Sequence, residues 1–281
     1  MSLFDPSCDP LLALLRAVLV AIVAFLYAAV GHGGATGYLA CLGLTGMPHE
    51  QLAASALILN AVVASISLFS YWRAGALLPR LALPFMITSV PFSFLGALVS
   101  VNRAIFLVLL GAVLLAASLR FLNFFQPSKT LNLAQEQGDA ANGLAPNTAP
   151  LSLPLSLPSL TLAASIGAGL GFVSGMVGIG GGVFLSPIIL CKGWGDMRQT
   201  AAASALFIVA NSLSGLISRY LRGGLHDLAL FPYLPVAVAA ALLGAHLGAR
   251  KFKSSRLQIF LGLVLALASL RLFLEGFSIF K

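Results

Sequence analysis

Val30-Gly31-His32-Gly33-Gly34 and Val177-Gly178-Ile179-Gly180-Gly181-Gly182 are the two stretches on which the reading of the fold turns, because each interrupts a long apolar run. Glycine weakens a helix, and a membrane helix is ordinarily filled with Leu or Ala. In hydrocarbon an unpaired backbone N–H or C=O has no water to turn to. Broken helix is therefore tolerated only inside protein or beside a watery cavity. Two such breaks are read as interrupted membrane elements whose helix N-termini face a shared anion site.

The surrounding composition fits that reading. Of 281 residues, 59% are hydrophobic and 9% charged, with a mean hydropathy of +1.00; soluble domains carry about one-quarter charged residues. The chain is read as an all-α polytopic membrane protein in a lipid bilayer. Its formal charge of +8 is assigned first to loops at the cytoplasmic face and only then to an anionic ligand. No nucleic-acid partner is expected, since Arg250-Lys251-Phe252-Lys253-Ser254-Ser255-Arg256 is short enough to be a loop between spans. Cys8, Cys41 and Cys191 form no C-x-x-C, so neither a disulfide framework nor a metal site is indicated, and no cofactor is expected. The first apolar run follows Asp5 and Asp9 rather than a basic segment, and is read as a mature span.

Apolar runs of about 20 residues mark the spans. The first half reads as helices at 11–30, a shorter one at 34–46, then 52–72, 81–100 and 104–122. Residues 126–159 turn polar and carry prolines at 127, 146, 150, 154 and 158, the composition of a flexible linker. The pattern then restarts with helices at 160–177, 183–193, 201–221, 228–249 and 257–275. The expected organisation is an N-terminal membrane repeat over 1–125, the linker over 126–159 and a C-terminal membrane repeat over 160–281.

The restart is visible in the residues. Ala54-Ser55-Ala56-Leu57 matches Ala203-Ser204-Ala205-Leu206, and Tyr71, Arg73 and Gly75 fall onto Tyr220, Arg222 and Gly224. Leu95-Gly96-Ala97 matches Leu243-Gly244-Ala245, and Ala117-Ser118-Leu119-Arg120 matches Ala268-Ser269-Leu270-Arg271. Five segments per half make the repeats inverted. That arrangement puts Arg73, Arg80, Arg120, Lys129, Lys192, Arg198, Arg250, Lys251, Lys253 and Arg256 on one side, ten of the sixteen basic residues. The positive-inside bias then leaves both termini outside. One crossing for each broken pair is the alternative, with a weaker bias.

Within this frame Gly33, Gly34, Gly180, Gly181 and Gly182 are candidate backbone donors to an anion. His32, where the second half has Ile179, is either a hydrogen-bond donor to the anion, a proton carrier, or a neutral residue held by a carbonyl. Asn60 and Asn211 fall mid-helix, where a lone amide needs partners across helices. Ser204, Asn211, Ser214 and Ser218 share one helix face, and Asn60 with Ser67 makes a thinner stripe. All eight carboxylates lie in termini, loops or span ends, which speaks against a cation pump built on buried acids. Arg73 and Arg222 at span ends are candidates for electrostatic guidance of an anion, or ordinary snorkelling residues.

With V-G-x-G-G opening each half and the Ala54-Ser55-Ala56-Leu57 and Ala203-Ser204-Ala205-Leu206 segments after it, the chain resembles the TauE/SafE family of sulfite exporters over nearly its whole length outside the linker. The resemblance implies a secondary transporter in a bacterial inner membrane, moving sulfite or organosulfonates such as sulfoacetate. Combined with the residues, it suggests a sulfur oxyanion held between the halves by Gly33, Gly34, Gly181 and Gly182 with Ser55, Asn60, Ser204 and Asn211. Rocking of one half against the other would alternate access. The coupling ion, proton or sodium, is not named by the sequence. A passive anion channel and an intramembrane Ser/His hydrolase built on His32 are the rival readings. The hydrolase lacks an orienting acid and a G-x-S-x-G elbow.

Overall fold

The computed structural model describes residues 10–43, 45, 49–99, 102–123, 158–223, 230–250 and a discontinuous set between 262 and 276. Among them the chain is helical, with no strand. In order these are α1 (Pro10–Ala29), α2 (Ala35–Gly43), α3 (His49–Arg73), α4 (Pro79–Leu98), α5 (Arg103–Asn123), α6 (Leu160–Val177), α7 (Gly182–Cys191), α8 (Met197–Leu221) and α9 (Leu234–Arg250). The described residues of the last expected helix are also helical, and Ser269 Oγ donates to the Gly111 carbonyl of α5 at 2.9 Å. The expected linker lies outside the described residues except at its last two positions. Six helices, at 10–29, 54–73, 79–98, 160–177, 197–221 and 231–249, are long and apolar enough to cross a membrane.

Most helices begin and end within a few residues of the apolar runs. Two departures have local causes. Helix α8 starts earlier than expected because Asp196 and Gln199 form a reciprocal capping box, Gln199 N–H to Asp196 Oδ1 at 2.8 Å and Asp196 N–H to Gln199 Oε1 at 3.0 Å; this satisfies two backbone donors that would otherwise fray the first turn. Helix α9 starts later, after a 3-10 turn at Phe231–Tyr233 that holds Pro232, where a missing backbone N–H costs least.

The two breaks end α1 and α6. Gly31, Gly34, Gly178, Gly180 and Gly181 all have left-handed φ values, between 71° and 94°, which side chains adopt only with strain. After the first break α2 turns back along α1, with Tyr27 Oη and Thr36 Oγ1 2.9 Å apart and Arg16 Nε donating to Thr45 Oγ1 at 3.2 Å. At nine and ten residues, α2 and α7 are about 14–15 Å long, roughly half a hydrocarbon core.

Close approaches set the direction of each neighbour. Helices α1 and α9 run parallel: a Cβ on Gly244 would strike the Phe25 carbonyl, and one on Gly248 the Ala29 carbonyl. Helices α4 and α6 are also parallel, with Gly167, Gly171 and Gly175 against the Phe85, Ser89 and Ser93 carbonyls. Helix α8 lies parallel to α4, where Ser214 and Ser218 donate to the carbonyls of Val90 and Phe94 at 2.7 and 3.0 Å. It lies antiparallel to α3, with Asn60 beside Ser212 and Leu57 beside Gly215.

Two large apolar cores result, beside a small one around Tyr71, Ala202 and Ala249, and none coincides with a sequence half. One gathers α1, α2, α3, α5 and α9, with Val177 from the end of α6 and Val183 from the start of α7, around Tyr27, Tyr38, Leu59, Leu107 and Leu110. The other gathers α4, α6, α7 and α8 around Leu81, Phe85, Leu185, Ile189 and Phe207. Without water to drive association, such contacts rest on close packing. Gly171→Ala, whose Cβ would sit 2.7 Å from Ser89 Cα, is expected to cost about 1–2 kcal/mol, read as a lower Tm in detergent. An unchanged Tm would refute the α4–α6 seam.

Candidate functional site

The breaks meet at Asn60, eleven residues into the 25-residue α3 and so near its mid-height. Its Oδ1 accepts from the Ala35 N–H at the start of α2, at 3.0 Å. Its Nδ2 donates to Ser212 Oγ of α8 at 2.8 Å and to the Ile179 carbonyl of the second break at 3.4 Å. A single amide thus caps one broken helix and ties it to the other break. Glycine is required on both sides of it: a Cβ on Gly33 would strike Asn60 Oδ1 and the Asn60 carbonyl, and one on Gly180 would lie 2.5 Å from Asn60 Nδ2.

His32 makes a second link. Nδ1 lies 2.9 Å from the Val30 carbonyl and Nε2 lies 3.0 Å from Ser186 Oγ of α7. A carbonyl only accepts, which assigns the proton to Nδ1; in the neutral ring Nε2 then accepts from the Ser186 hydroxyl. Ser186 Oγ is in turn 2.6 Å from Ser204 Oγ of α8. Thr200, one turn before Ser204, carries a buried hydroxyl with no partner among the described residues. His32, Asn60, Ser186, Thr200, Ser204 and Ser212 are all at most 4% exposed.

The start of α7 differs from that of α2. Gly181 occupies its N-cap position and makes no side-chain cap, and the positive end of the helix dipole lies beside the His32–Ser186–Ser204 chain. Helix α2 has its Ala35 N–H taken by Asn60.

The structure brings together His32, Gly33, Asn60, Gly180, Gly182 and Ser204 from the expected set. Gly34 lies under the Tyr38 ring and Gly181 against Ser174 and Phe207, at the edge of the crossing. Ser55 and Asn211 stand elsewhere. Ser55 Oγ accepts from the Leu230 N–H at 3.3 Å, in a cleft with Ile58, Phe231 and Leu234. Asn211 turns to α4, taking Ser89 Oγ–H on Oδ1 at 2.8 Å and Ser93 Oγ–H on its carbonyl at 3.1 Å. The stripe formed by Asn211, Ser214 and Ser218 is therefore a helix seam. Ser67 likewise donates to the Val63 and Ala28 carbonyls. Arg222 donates to the Ala97 and Leu98 carbonyls and caps α4, while the Arg73 guanidinium rests 5.7 Å from the centre of the Phe69 ring.

Ser186, Ser212 and Thr200 escaped the sequence reading. A serine in an apolar helix carries little signal alone, and His32 and Asn60, which tie Ser186 and Ser212 to the first half, lie more than 150 residues away in sequence.

Apolar spans packed around a buried polar crossing of two broken helices define, by class, a multi-pass membrane transport protein. Residues 16–272 match the family model described as Sulfite exporter TauE/SafE. The "Probable membrane transporter protein y4hK" of Sinorhizobium fredii is 33% identical over 255 residues, which cover 89% of this chain and 94% of that protein. No solved structure matches the chain. The chain belongs to the TauE/SafE family of membrane transporters, and in a bacterium its place is the inner membrane.

Proposed function

We propose that the chain is a secondary transporter for small sulfur-containing anions, sulfite or organosulfonates such as sulfoacetate, and that it has no catalytic role. The observation that carries the reading is the convergence of both breaks on one buried polar crossing. Substrate there would meet the first turn of α7, the hydroxyls of Ser204 and Thr200, and the His32 ring. Backbone N–H groups and hydroxyls suit an oxyanion because they donate without bringing a full charge into the membrane.

Two inverted repeats are the architecture this reading assumes. Support comes from reciprocal packing: the first helix of each half lies parallel to the fourth of the other, and the third helices α3 and α8 cross antiparallel. Five passes per half give those directions, whereas a single pass for each broken pair would make α3 and α8 parallel. The two large apolar cores cut across the sequence halves and meet at the second break, where Val177 of α6 and Val183 of α7 pack into the core built on α1, α2, α3, α5 and α9. Their shared boundary carries Asn60, Ser212 and the His32–Ser186 contact. Sliding or rocking along it would open the crossing to alternate sides.

A channel would need no such boundary, and counterflow separates the two. Purified protein in liposomes is expected to show saturable sulfite or sulfoacetate flux, accelerated by the same anion on the far side. Linear flux without counterflow would establish a channel instead. In parallel, sulfonates at about a hundred times Kd should stabilise the folded protein by about 2.7 kcal/mol, while plain carboxylates should not. Stabilisation by carboxylates alone would overturn the substrate class.

A hydrolase reading draws on the His32–Ser186 distance, but Ser186 Oγ also lies within hydrogen-bond reach of the Gly182 carbonyl and Ser204, and the histidine is oriented by the Val30 carbonyl. Ester turnover by purified protein that is lost in Ser186→Ala would revive it.

A further inference from the structure

Among the described residues five buried side-chain atoms have no hydrogen-bond partner, Tyr38 Oη, Ser118 Oγ, Thr200 Oγ1, Asn211 Nδ2 and Arg219 Nε, and the last three stand on α8. A hydroxyl can give or take a hydrogen bond, whereas an amide or guanidinium nitrogen can only give one. Asn211 and Arg219 thus leave two pure donors buried in a membrane span, where an unmet donor is costly until an acceptor arrives.

Asn211, Gly215 and Arg219 are spaced by four, which sets them in one row along α8. At about 1.5 Å per residue the row is about 12 Å long. Its outer end, Arg219, lies two residues before α8 stops at Leu221. Snorkelling carries the terminal nitrogens of such an arginine to water but leaves the inner Nε–H unmet. Asp196, the one carboxylate whose side chain is described, caps the opposite end of the helix. Arg222, one turn on, adds a second positive charge while it holds the Ala97 and Leu98 carbonyls. The inner end of the row adjoins the crossing. Ser89 and Ser93 donate to the two oxygens of Asn211, at 2.8 and 3.1 Å, which leaves the amide nitrogen as its unpartnered atom. The next residue, Ser212, takes the Asn60 amide at 2.8 Å. Between the two donors Gly215 contributes no side chain. A Cβ there would meet only ordinary contacts, Leu57 Cδ1 at 3.6 Å and Ser93 Oγ at 4.0 Å, so close helix packing does not demand this glycine as it does Gly171 and Gly175.

We propose that Arg219 and Asn211 are two stations of an oxyanion route from the end of α8 to the crossing, with Gly215 leaving the row open between them. This rests on the anion-transport reading above and concerns the first contacts of the substrate. One edge of the guanidinium, Nε–H with an Nη–H, matches two oxygens of a sulfonate or sulfite, and the Asn211 amide then takes an oxygen further in. Both stations donate and neither unpartnered atom accepts, so the row favours oxyanions and offers nothing to an ammonium group.

The buried Nε–H gives a direct readout. In protein carrying isotope-labelled arginine, held in phosphatidylcholine nanodiscs, the Arg219 Nε–H resonance is assigned by its loss in Arg219→Gln. It is expected to shift saturably with methanesulfonate and to stay in place with neutral dimethyl sulfone. Arg219→Gln should keep its Tm without ligand, because Nε has no protein hydrogen bond to lose. Its methanesulfonate flux should fall about tenfold at low concentration, as loss of electrostatic steering predicts, and recover most of its size at saturation. Asn211→Asp, which keeps the acceptor for Ser89 and removes the donor, should slow flux while the Arg219 shift persists. Full flux at low concentration in a folded Arg219→Gln variant overturns the inference. A shift produced by phosphatidylglycerol nanodiscs that methanesulfonate cannot reverse also overturns it, since Arg219 would then hold a lipid phosphate. So does a ligand-free shift in Glu50→Gln, which would make that carboxylate on the first turn of α3 the partner. Methanesulfonate that is bound and carried without moving the resonance removes this route and leaves the crossing standing. Failure to bind or carry any sulfonate removes the anion reading, and this inference with it.

Discussion

Asn60→Leu is expected to abolish sulfonate transport and to lower stability by about 2–4 kcal/mol. The amide does three things at once: it takes the Ala35 N–H, supports the Ile179 carbonyl and holds Ser212. Leucine fills similar volume and leaves all three groups without that partner. Single interhelical hydrogen bonds in membranes average about 0.6 kcal/mol and reach about 1.7, so three lost together, one at a helix start, give the range stated. The transport effect follows from geometry, because both breaks lose their common support. Asn60→Asp, which keeps the acceptor for Ala35 and loses the donor, should lie between. Thermal unfolding in detergent and liposome flux read the two effects separately. Wild-type flux in Asn60→Leu would remove the crossing from the mechanism.

Gly180→Ala should be about as damaging, and a comparison with Gly75→Ala shows why. Both glycines have left-handed φ, 71° and 73°. At Gly75 a Cβ would meet nothing within 4 Å, so the cost is that of the backbone conformation, about 1–2 kcal/mol. At Gly180 the same Cβ would lie 2.5 Å from Asn60 Nδ2 and 2.8 Å from Ser212 Oγ. Overpacking adds about 1–3 kcal/mol, and the displaced pair is the one that joins the breaks. Gly180→Ala is thus expected to lose about 3 kcal/mol and most of its transport, and Gly75→Ala to keep its transport. Equal effects in Tm and flux would mean that only the backbone conformation matters at position 180.

Much of this was legible in the residues because lipid leaves the backbone so few choices. Apolar runs located the spans to within a few residues at most ends, and glycines interrupting two of them located the breaks. Asn60 was legible for a similar reason, since a mid-helix amide must find partners across helices. The same reasoning selected Asn211 but could not say which neighbour it meets, and that neighbour is α4. Helical spacing gives the face of a residue, whereas the identity of the facing helix comes from topology. Arg222 illustrates the limit at span ends: its charge suggested guidance, and its guanidinium in fact caps the carbonyls that end α4. Ser186 was invisible because its meaning depends on His32, from the other half.

The exchange of helices between the two cores also bears on how the chain is made. Helix α1 has its close-packed neighbour in α9, which starts at residue 234, and α4 has its neighbour in α6, beyond the linker. During synthesis the early helices enter the bilayer before the glycine faces that will seat against them exist. A chain stopped in the linker would hold α1 and α4 with lipid where α9 and α6 belong. The first half, read as a repeat from its residues, is therefore not expected to mature alone, and a nascent chain cut there is expected to be a substrate for membrane quality control.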